Sequence, residues 1–420
     1  MPRVARSQSP KELKAWSVAG LGLAVSEAGF IAVVIKNVFA GSLSPELLNM
    51  AVALGAATPA MANLMSFFWA DFGAGRAKAN TVTVLLLLAA LSLLLVAWIP
   101  AGGLGVLLFI CAMFFARTFW TGALTLRSAV WRANYPSEVR ARFTSRITVL
   151  GALAMAVSSA VCGYYLDESV DNFRVFYPVA AACLAIGGLF FRAVRVRQQR
   201  QLLASELAAK SGQKRGLVGA FSILREDEPY RRYMLRMFFF GSGNLMLVGQ
   251  AVLLYSEQLA MSRTQQMLII SSIPFLVLPV TLPMWARYFD RVGVVRFRAV
   301  QGWFFSGAMI MLFAGVINDQ LVLLWLAAAL LGIGYAGGSI GWHLGHNAFA
   351  TDDRATDYMA VHVSLTGLRG ILAPVAGVWV YQFLNGINPG YAVFCLLLPL
   401  ALSASGTLGF MRDSRALQRR

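Results

Sequence analysis

VRVRQQRQLLASELAAKSGQKRGLVGAFSILREDEPY, residues 194–230, is a long polar stretch in an otherwise apolar chain. It carries Arg195, Arg197, Arg200, Lys210, Lys214, Arg215 and Arg225. Leu202, Leu203 and Leu207 fall near one face of a helix over 199–210, so a surface helix is expected there. Six apolar segments precede the stretch and six follow, each near the about 20 residues a helix needs to cross hydrocarbon. The expected spans are 15–40, 46–70, 80–99, 103–128, 143–166, 173–193, 231–255, 264–287, 298–317, 321–346, 358–384 and 388–410. Residues 194–230 therefore read as a linker between an N-terminal six-helix bundle, 1–193, and a C-terminal one, 231–420. Ser44-Pro45, Pro100 through Gly103, Asn318-Asp319 and Asn385 through Pro389 punctuate the boundaries. Continuous apolar runs favour helices over barrel strands. The expected fold is an all-α polytopic membrane protein of twelve transmembrane helices.

Composition agrees. Of 420 residues, 58% are hydrophobic and 13% charged, against about 25% charged in a soluble domain. A mean hydropathy of +0.65 excludes a disordered chain and argues against a basic nucleic-acid binder. The formal net charge of +17 then needs a location. With both termini on one side, 31 of the 36 Lys and Arg fall on the side of the termini and of residues 194–230. Three, Lys36, Arg174 and Arg263, fall on the other side, and Arg117 and Arg369 lie inside spans. The positive-inside rule makes the richer side cytoplasmic. The expectation is a bacterial inner (plasma) membrane protein, monomeric, with both termini in the cytoplasm and no nucleic-acid partner. The N-terminus lacks the apolar core of a signal peptide. Cys111, Cys162, Cys183 and Cys395 lie in apolar stretches and read as small hydrophobes, without a disulfide framework.

The two halves echo each other at an offset of 215–219 residues. The second half reads Trp285-Ala286-Arg287-Tyr288-Phe289-Asp290-Arg291-Val292-Gly293, and the first reads Trp69-Ala70-Asp71-Phe72-Gly73-Ala74-Gly75-Arg76-Ala77-Lys78. Both resemble the loop motif of the major facilitator superfamily, Gly-x-x-x-Asp-Arg-x-Gly-Arg, placed after helices 2 and 8. The second copy matches at Asp290, Arg291 and Gly293, with Ala286 for the first glycine. In the first copy Asp71 and Arg76 are present, but the spacing is off and Phe72 replaces a basic residue. The resemblance covers essentially the whole chain. It implies two six-helix bundles, and a conformational latch at Asp71, Arg76, Asp290, Arg291 and Gly293. An aspartate there can pair with a neighbouring cation and with helix N–H groups in one conformation and release them in another.

Ionisable groups at membrane depth cost about 2.5–3.5 kcal/mol each on insertion scales and mark functional sites. Glu27 in the first span, Arg117 in the fourth and Arg369 in the eleventh all fall near mid-depth. Glu27 is expected to pair with Arg117 or Arg369, leaving one cation over for an anionic substrate. Lys36 lies nearer the outer end and is expected to snorkel. Asn244, opposite Glu27 by the repeat offset, and Gln250 are expected to line a polar cavity, with Tyr335 and Trp342 as further lining. Arg117 with Gly122 is similar to the superfamily's span-4 motif of proton-coupled members, one residue longer in spacing. The span-5 motif of drug–proton antiporters is missing from 151–163, while Gly367, Gly370, Pro374 and Gly377 give a comparable pattern in the eleventh span.

His343, His346 and His362 are the only histidines. They are candidates for a proton relay or, as an alternative, for a three-histidine metal site. Asp352, Asp353, Arg354, Asp357 and Tyr358 correspond to Glu138, Arg140, Arg142 and Phe143, and both groups read as ion-pair networks at the cytoplasmic mouth. Glycines crowd the tenth span and Pro274, Pro279 and Pro283 the eighth, as suits helices that pack closely and rock. No nucleotide-binding loop and no catalytic constellation is present, so the protein is expected not to be an enzyme and to need no cofactor. The expected function is a secondary active transporter, a symporter or antiporter, working by alternating access. Its partners would be a small anionic solute, a coupling proton or other ion, and the bilayer. The alternatives are an efflux pump for lipophilic compounds, and a scaffold or sensor that moves nothing.

Overall fold

The computed structural model describes residues 3–212, 221–350 and 354–418. Lys214, Arg215, Asp352 and Asp353 lie outside the described residues, as do the side chains of Glu138, Arg140, Arg142, Lys210 and Asp357.

Helix follows hydropathy along the chain. The first half holds α1 (Arg3–Leu23), α2 (Ala28–Val38), α3 (Pro45–Asn63), α4 (Ser66–Gly73), α5 (Lys78–Leu94), α6 (Gly103–Asn134), α7 (Ser137–Glu168) and α8 (Phe173–Arg192). The polar stretch contributes α9 (Gln199–Gly212) and the single turn α10 (Ile223–Glu226). The second half holds α11 (Glu228–Leu253), α12 (Arg263–Met267), α13 (Ile273–Ile317), α14 (Leu321–Leu344), α15 (Ala355–Ile387) and α16 (Leu397–Gln418). Ser44 caps α3 by accepting from the Leu47 amide, and Asp227 caps α11 by accepting from Tyr230.

Among the described residues, ten helices are long and apolar enough to cross a membrane. An eleventh crossing is the pair α1–α2, bent by 45°. Arg263–Ile317 runs for 55 residues, roughly 80 Å at the helical rise and far more than one crossing needs. Gly293 inside it has φ 71° and ψ 169°, so this segment is two helices meeting at a corner. A loop was expected over 288–297; the chain turns instead on that one glycine. Gly75 occupies the corresponding place in the first half and also has positive φ, 74°. Only glycine adopts this backbone without strain, so the internal repeat is visible in the main chain as well as in the sequence. Two other boundaries move. α6 extends to Asn134, and α7 begins at Ser137 rather than at 143.

Each half packs mainly on itself. α1 lies on α7 and α8, and α5 on α6 and α8. In the second half α13 packs on α14 and α16, and α11 on α15 and α16. The halves meet mainly where α3 packs on α15, α7 on α12 and α13, and α2 on α11. Large apolar side chains such as Trp98, Leu104, Val280 and Met284 point outward. In a water-soluble protein that surface would aggregate; around a helical bundle it faces lipid. The four cysteines are free.

Candidate functional site

The first crossing breaks at its acidic residue. A tight turn covers Ala24–Ser26, and Glu27 is extended, with φ −76° and ψ 151°, before α2 begins. The Ser26 hydroxyl donates to the Leu23 carbonyl at 2.9 Å, a local bond that competes with helix continuation. Glu27 thereby stands at the N-cap position of α2, where the helix dipole favours a carboxylate. From the middle of α6, Arg117 Nη1 donates to Glu27 Oε1 at 2.8 Å. The pair is mostly shielded, with side-chain exposures of 12% for Arg117 and 23% for Glu27. The second half covers the break: a side chain at Gly29 would collide with Ile270. Ile270 belongs to a π-helical turn, Leu268–Ser272, of the sort found at functional sites. Tyr335 of α14 lies within electrostatic reach of Glu27. Arg117 Nε and Asn244 Oδ1 are buried without hydrogen-bond partners.

Arg369 is not at that break. It is buried in α15, donating to the Met237 carbonyl and, at 3.0 Å, to Thr366 Oγ1. Beside it is Arg298, which the sequence placed at a cytoplasmic boundary and which is only 2% exposed. Arg298 Nη1 donates to Gln301 Oε1 at 2.8 Å, and its Nε to the Tyr233 hydroxyl at 3.4 Å. His362 is fully buried, and its ring faces those of His346 and Trp342 at 6.1 Å and 5.7 Å. His343 Nδ1 lies 2.6 Å from the Ser339 carbonyl oxygen, and its ring contacts Trp342 at 4.9 Å. The histidines thus gather around Trp342. Among the described residues, no group of three His, Cys, Asp or Glu side chains could hold a metal ion.

Gln250 is fully buried, and its amide donates to the carbonyls of Gly377 and Cys395, each at 3.0 Å. It ties α11 to α15 and to the short turn Pro389–Leu396 that leads into α16. Gly122 receives the Trp69 ring against its backbone.

At the helix ends away from residues 194–230, polar side chains fasten the halves together. Lys36 does not snorkel: it pairs with Glu257 and donates to Asn49 Oδ1 at 2.7 Å. The Tyr381 hydroxyl donates to the same glutamate at 2.6 Å. Asp167 accepts from the backbone amides of Arg263 and Thr264 at 2.7 Å and 2.9 Å, and Gln382 donates to the Glu46 carbonyl at 2.6 Å. Among the described residues, the ion pairs near the linker's end stay within a half or join it to the linker: Lys78–Glu206, Arg236–Asp413 at 3.6 Å and Arg354–Glu226 at 2.9 Å. Tyr358 donates to Asp227 Oδ2 at 2.6 Å, and Phe143 stacks on Tyr135. In the loop motifs, Arg76 lies over the Phe72 ring at 3.8 Å, and Asp71, Asp290 and Arg291 are exposed. The buried cation of the first motif is Lys78, held by the Gly73 carbonyl and by Glu206 of α9.

Sequence reasoning missed Arg298, Tyr233, Glu206 and Glu257. Arg298 had one signal: it is followed by Ala299 and Val300, an apolar setting for a loop cation. Glu257 had none, since its partner lies in the other half.

The fold defines a polytopic helical membrane protein with buried polar groups inside it. A family model, Major Facilitator Superfamily, matches residues 17–374, and the chain belongs to that superfamily. A search of curated proteins finds no match. Among solved structures, a variant of the nucleoside transporter NupG is similar at 13% identity and TM-score 0.73, covering 96% of this chain and 99% of that one. The xylose transporter XylE from E. coli, partially occluded and inward open, is 12% identical with TM-score 0.70, covering 97% of each chain. A bacterial homolog of the human lysosomal transporter Spinster, inward-facing and unoccupied, is 14% identical with TM-score 0.68, covering 100% of this chain and 98% of that one. At these identities the likeness is one of fold. Family and fold make the protein an integral membrane transporter and not an enzyme.

Proposed function

We propose that the protein is a secondary active transporter that carries a small anionic solute by alternating access and couples it to protons at Glu27. The observation that supports this is the Glu27–Arg117 pair at the break in the first crossing. An anion and Glu27 compete for the same guanidinium. Protonating Glu27 ends the ion pair and leaves Arg117 able to bind a carboxylate or similar group. Proton and anion are then taken up together, which is symport. The ties at the outer ends support a conformation that opens toward the linker, with the substrate path exposed to the cytoplasm.

Purified protein in liposomes tests the reading. Glu27→Gln should still exchange solute across the membrane but should lose accumulation driven by a pH gradient. Full retention of that coupling would sink the proton role of Glu27.

One observation favours the second reading, efflux of lipophilic compounds. An apolar groove of about 460 Å³ is lined by Leu21, Val25, Val157, Val161, Phe176 and Val179 among others, two residues from Glu27. Under that reading Arg369→Gln should leave transport largely intact.

A further inference from the structure

The second half buries a cluster of cations that has no described acid beside it. Arg298 and Arg369 are 2% and 4% exposed, and each lies within electrostatic reach of the other. The charged or titratable neighbours acting on His362 are Arg369, Arg298, His346 and His343, all basic. A buried unpaired charge is costly, and a buried donor without a partner adds its own desolvation penalty. Here unpartnered polar atoms accumulate: the donors Arg298 Nη2 and Arg369 Nε, and the ring atoms His346 Nδ1 and His362 Nδ1 and Nε2, are buried with no hydrogen-bond partner. Protein atoms satisfy the rest of each guanidinium, through Gln301, Tyr233, Thr366 and the Met237 carbonyl, so the arginines are held in place.

Room has been made for them as well. A Cβ added at Gly341 would sit 2.5 Å from Arg298 Cζ, and one at Gly241 would sit 2.5 Å from Arg369 Cζ. Each guanidinium therefore lies against the bare backbone of a neighbouring helix. Three helices bring the cluster together: α11 through Tyr233 and Met237, α13 through Arg298, and α15 through His362, Thr366 and Arg369. The cluster is distinct from the Glu27–Arg117 pair.

We infer that Arg298, Arg369 and His362 form an anion site in the second half that takes a doubly charged oxyanion, either free or as the end group of a larger solute. Two guanidiniums match two negative charges, and guanidinium geometry suits carboxylate and phosphate oxygens. The site rests on the transporter reading only for its role in cargo recognition; binding stands on its own.

The test uses the full-length protein in detergent, titrated with inorganic phosphate, succinate, acetate and chloride at matched ionic strength. Trp342, whose ring is 5.7 Å from that of His362, supplies the fluorescence signal in otherwise unaltered protein. Phosphate or succinate should shift the signal saturably, and the shift should vanish in Trp342→Phe. Arg298→Gln and Arg369→Gln should each raise the half-saturating concentration by about 10- to 100-fold, the loss of one charge-assisted contact. If neither dianion does more than chloride in the unsubstituted protein, the site is refuted whether or not the variants fold. Unchanged half-saturation in both arginine variants refutes it too. Nanodiscs with and without phosphatidate separate a soluble oxyanion from a lipid headgroup of the same chemistry. An equal phosphate response in both assigns the soluble source, and its loss with phosphatidate assigns the headgroup. Dianion binding without any uptake in liposomes would keep the site and discard the reading of an anionic cargo.

Discussion

Among the described residues Arg117 pairs with one carboxylate, Glu27, and the consequences of losing it differ by substitution. Glu27→Ala leaves a mostly buried guanidinium alone, which costs about 3 kcal/mol. Glu27→Gln keeps an acceptor in place, so its cost should be nearer 1 kcal/mol. Thermal unfolding of the two variants in one detergent checks the order, and equal losses would mean that the pair carries little stability. His346, between the membrane crossings, gives a pH prediction. Burial, and then the neighbouring His343, hold its pKa below the ordinary histidine range. The folded protein takes up that proton less readily than the unfolded chain does. The resulting stability is complete above the ordinary histidine pKa of about 6.5 and is lost as pH falls below it. His346→Gln should therefore flatten the fall in Tm on going from about pH 7.5 to about pH 5.5. A variant with an undiminished fall would exclude His346 as its source. Glu27, Arg117 and Arg369 were legible in the sequence because a charge inside an apolar run stands out on inspection. Arg298 was not, because it sits where an apolar run begins, and only the packing of α11, α14 and α15 around it shows that it is buried.

Helix α9 is polar enough to float free, yet it is fastened to the first half. Glu206 accepts from Lys78 and from the Gly75 amide, and Leu207 covers Gly75. Lys78 is 2% exposed. Glu206→Ala should thus cost about 3 kcal/mol by leaving a buried ammonium short of its charge partner. Glu228→Ala, which removes the exposed partner of Arg232, should cost under about 0.5 kcal/mol. Comparing the two melting temperatures decides the matter, and similar shifts would show that α9 is not structurally anchored. The helix itself was expected from the spacing of Leu202, Leu203 and Leu207, since periodicity is local information. What it docks on was not, since Gly75 and Lys78 are far away in sequence. The corner at Gly293 was half visible. The motif marked the position, but hydropathy placed a loop there, because polar residues on an exposed helix end resemble loop residues in composition.

Hydropathy also carried the architecture as a whole, since each crossing announces itself in a window of its own residues. The conformation could not be read that way, because it depends on pairs such as Lys36–Glu257 and Asp167–Arg263 that join the two halves. These ties predict how the molecule opens. Lys36→Ala and Glu257→Ala should each weaken the outer closure, and the double variant should be little worse than either single one, as expected of partners in one contact. The readout is labelling of a cysteine placed at Leu48, buried at the same end of α3, by a membrane-impermeant thiol reagent added from outside, with the four natural cysteines replaced by alanine. It should speed up in all three variants, and unchanged labelling would mean that the outer ends are not a gate.

Helix α2 is only 11 residues long, with Glu27 capping one end and Lys36 in the last turn of the other. The residue proposed to take the proton and the residue that fastens the halves at the end away from the linker are therefore on one short rod. If protonation at one end weakens the fastening at the other by some factor, reciprocity requires that releasing the fastening change proton affinity by the same factor. Titrating proton uptake in Glu257→Ala would measure that factor without any substrate present, and so would measure how strongly the gate and the proton are linked before the identity of the cargo is known.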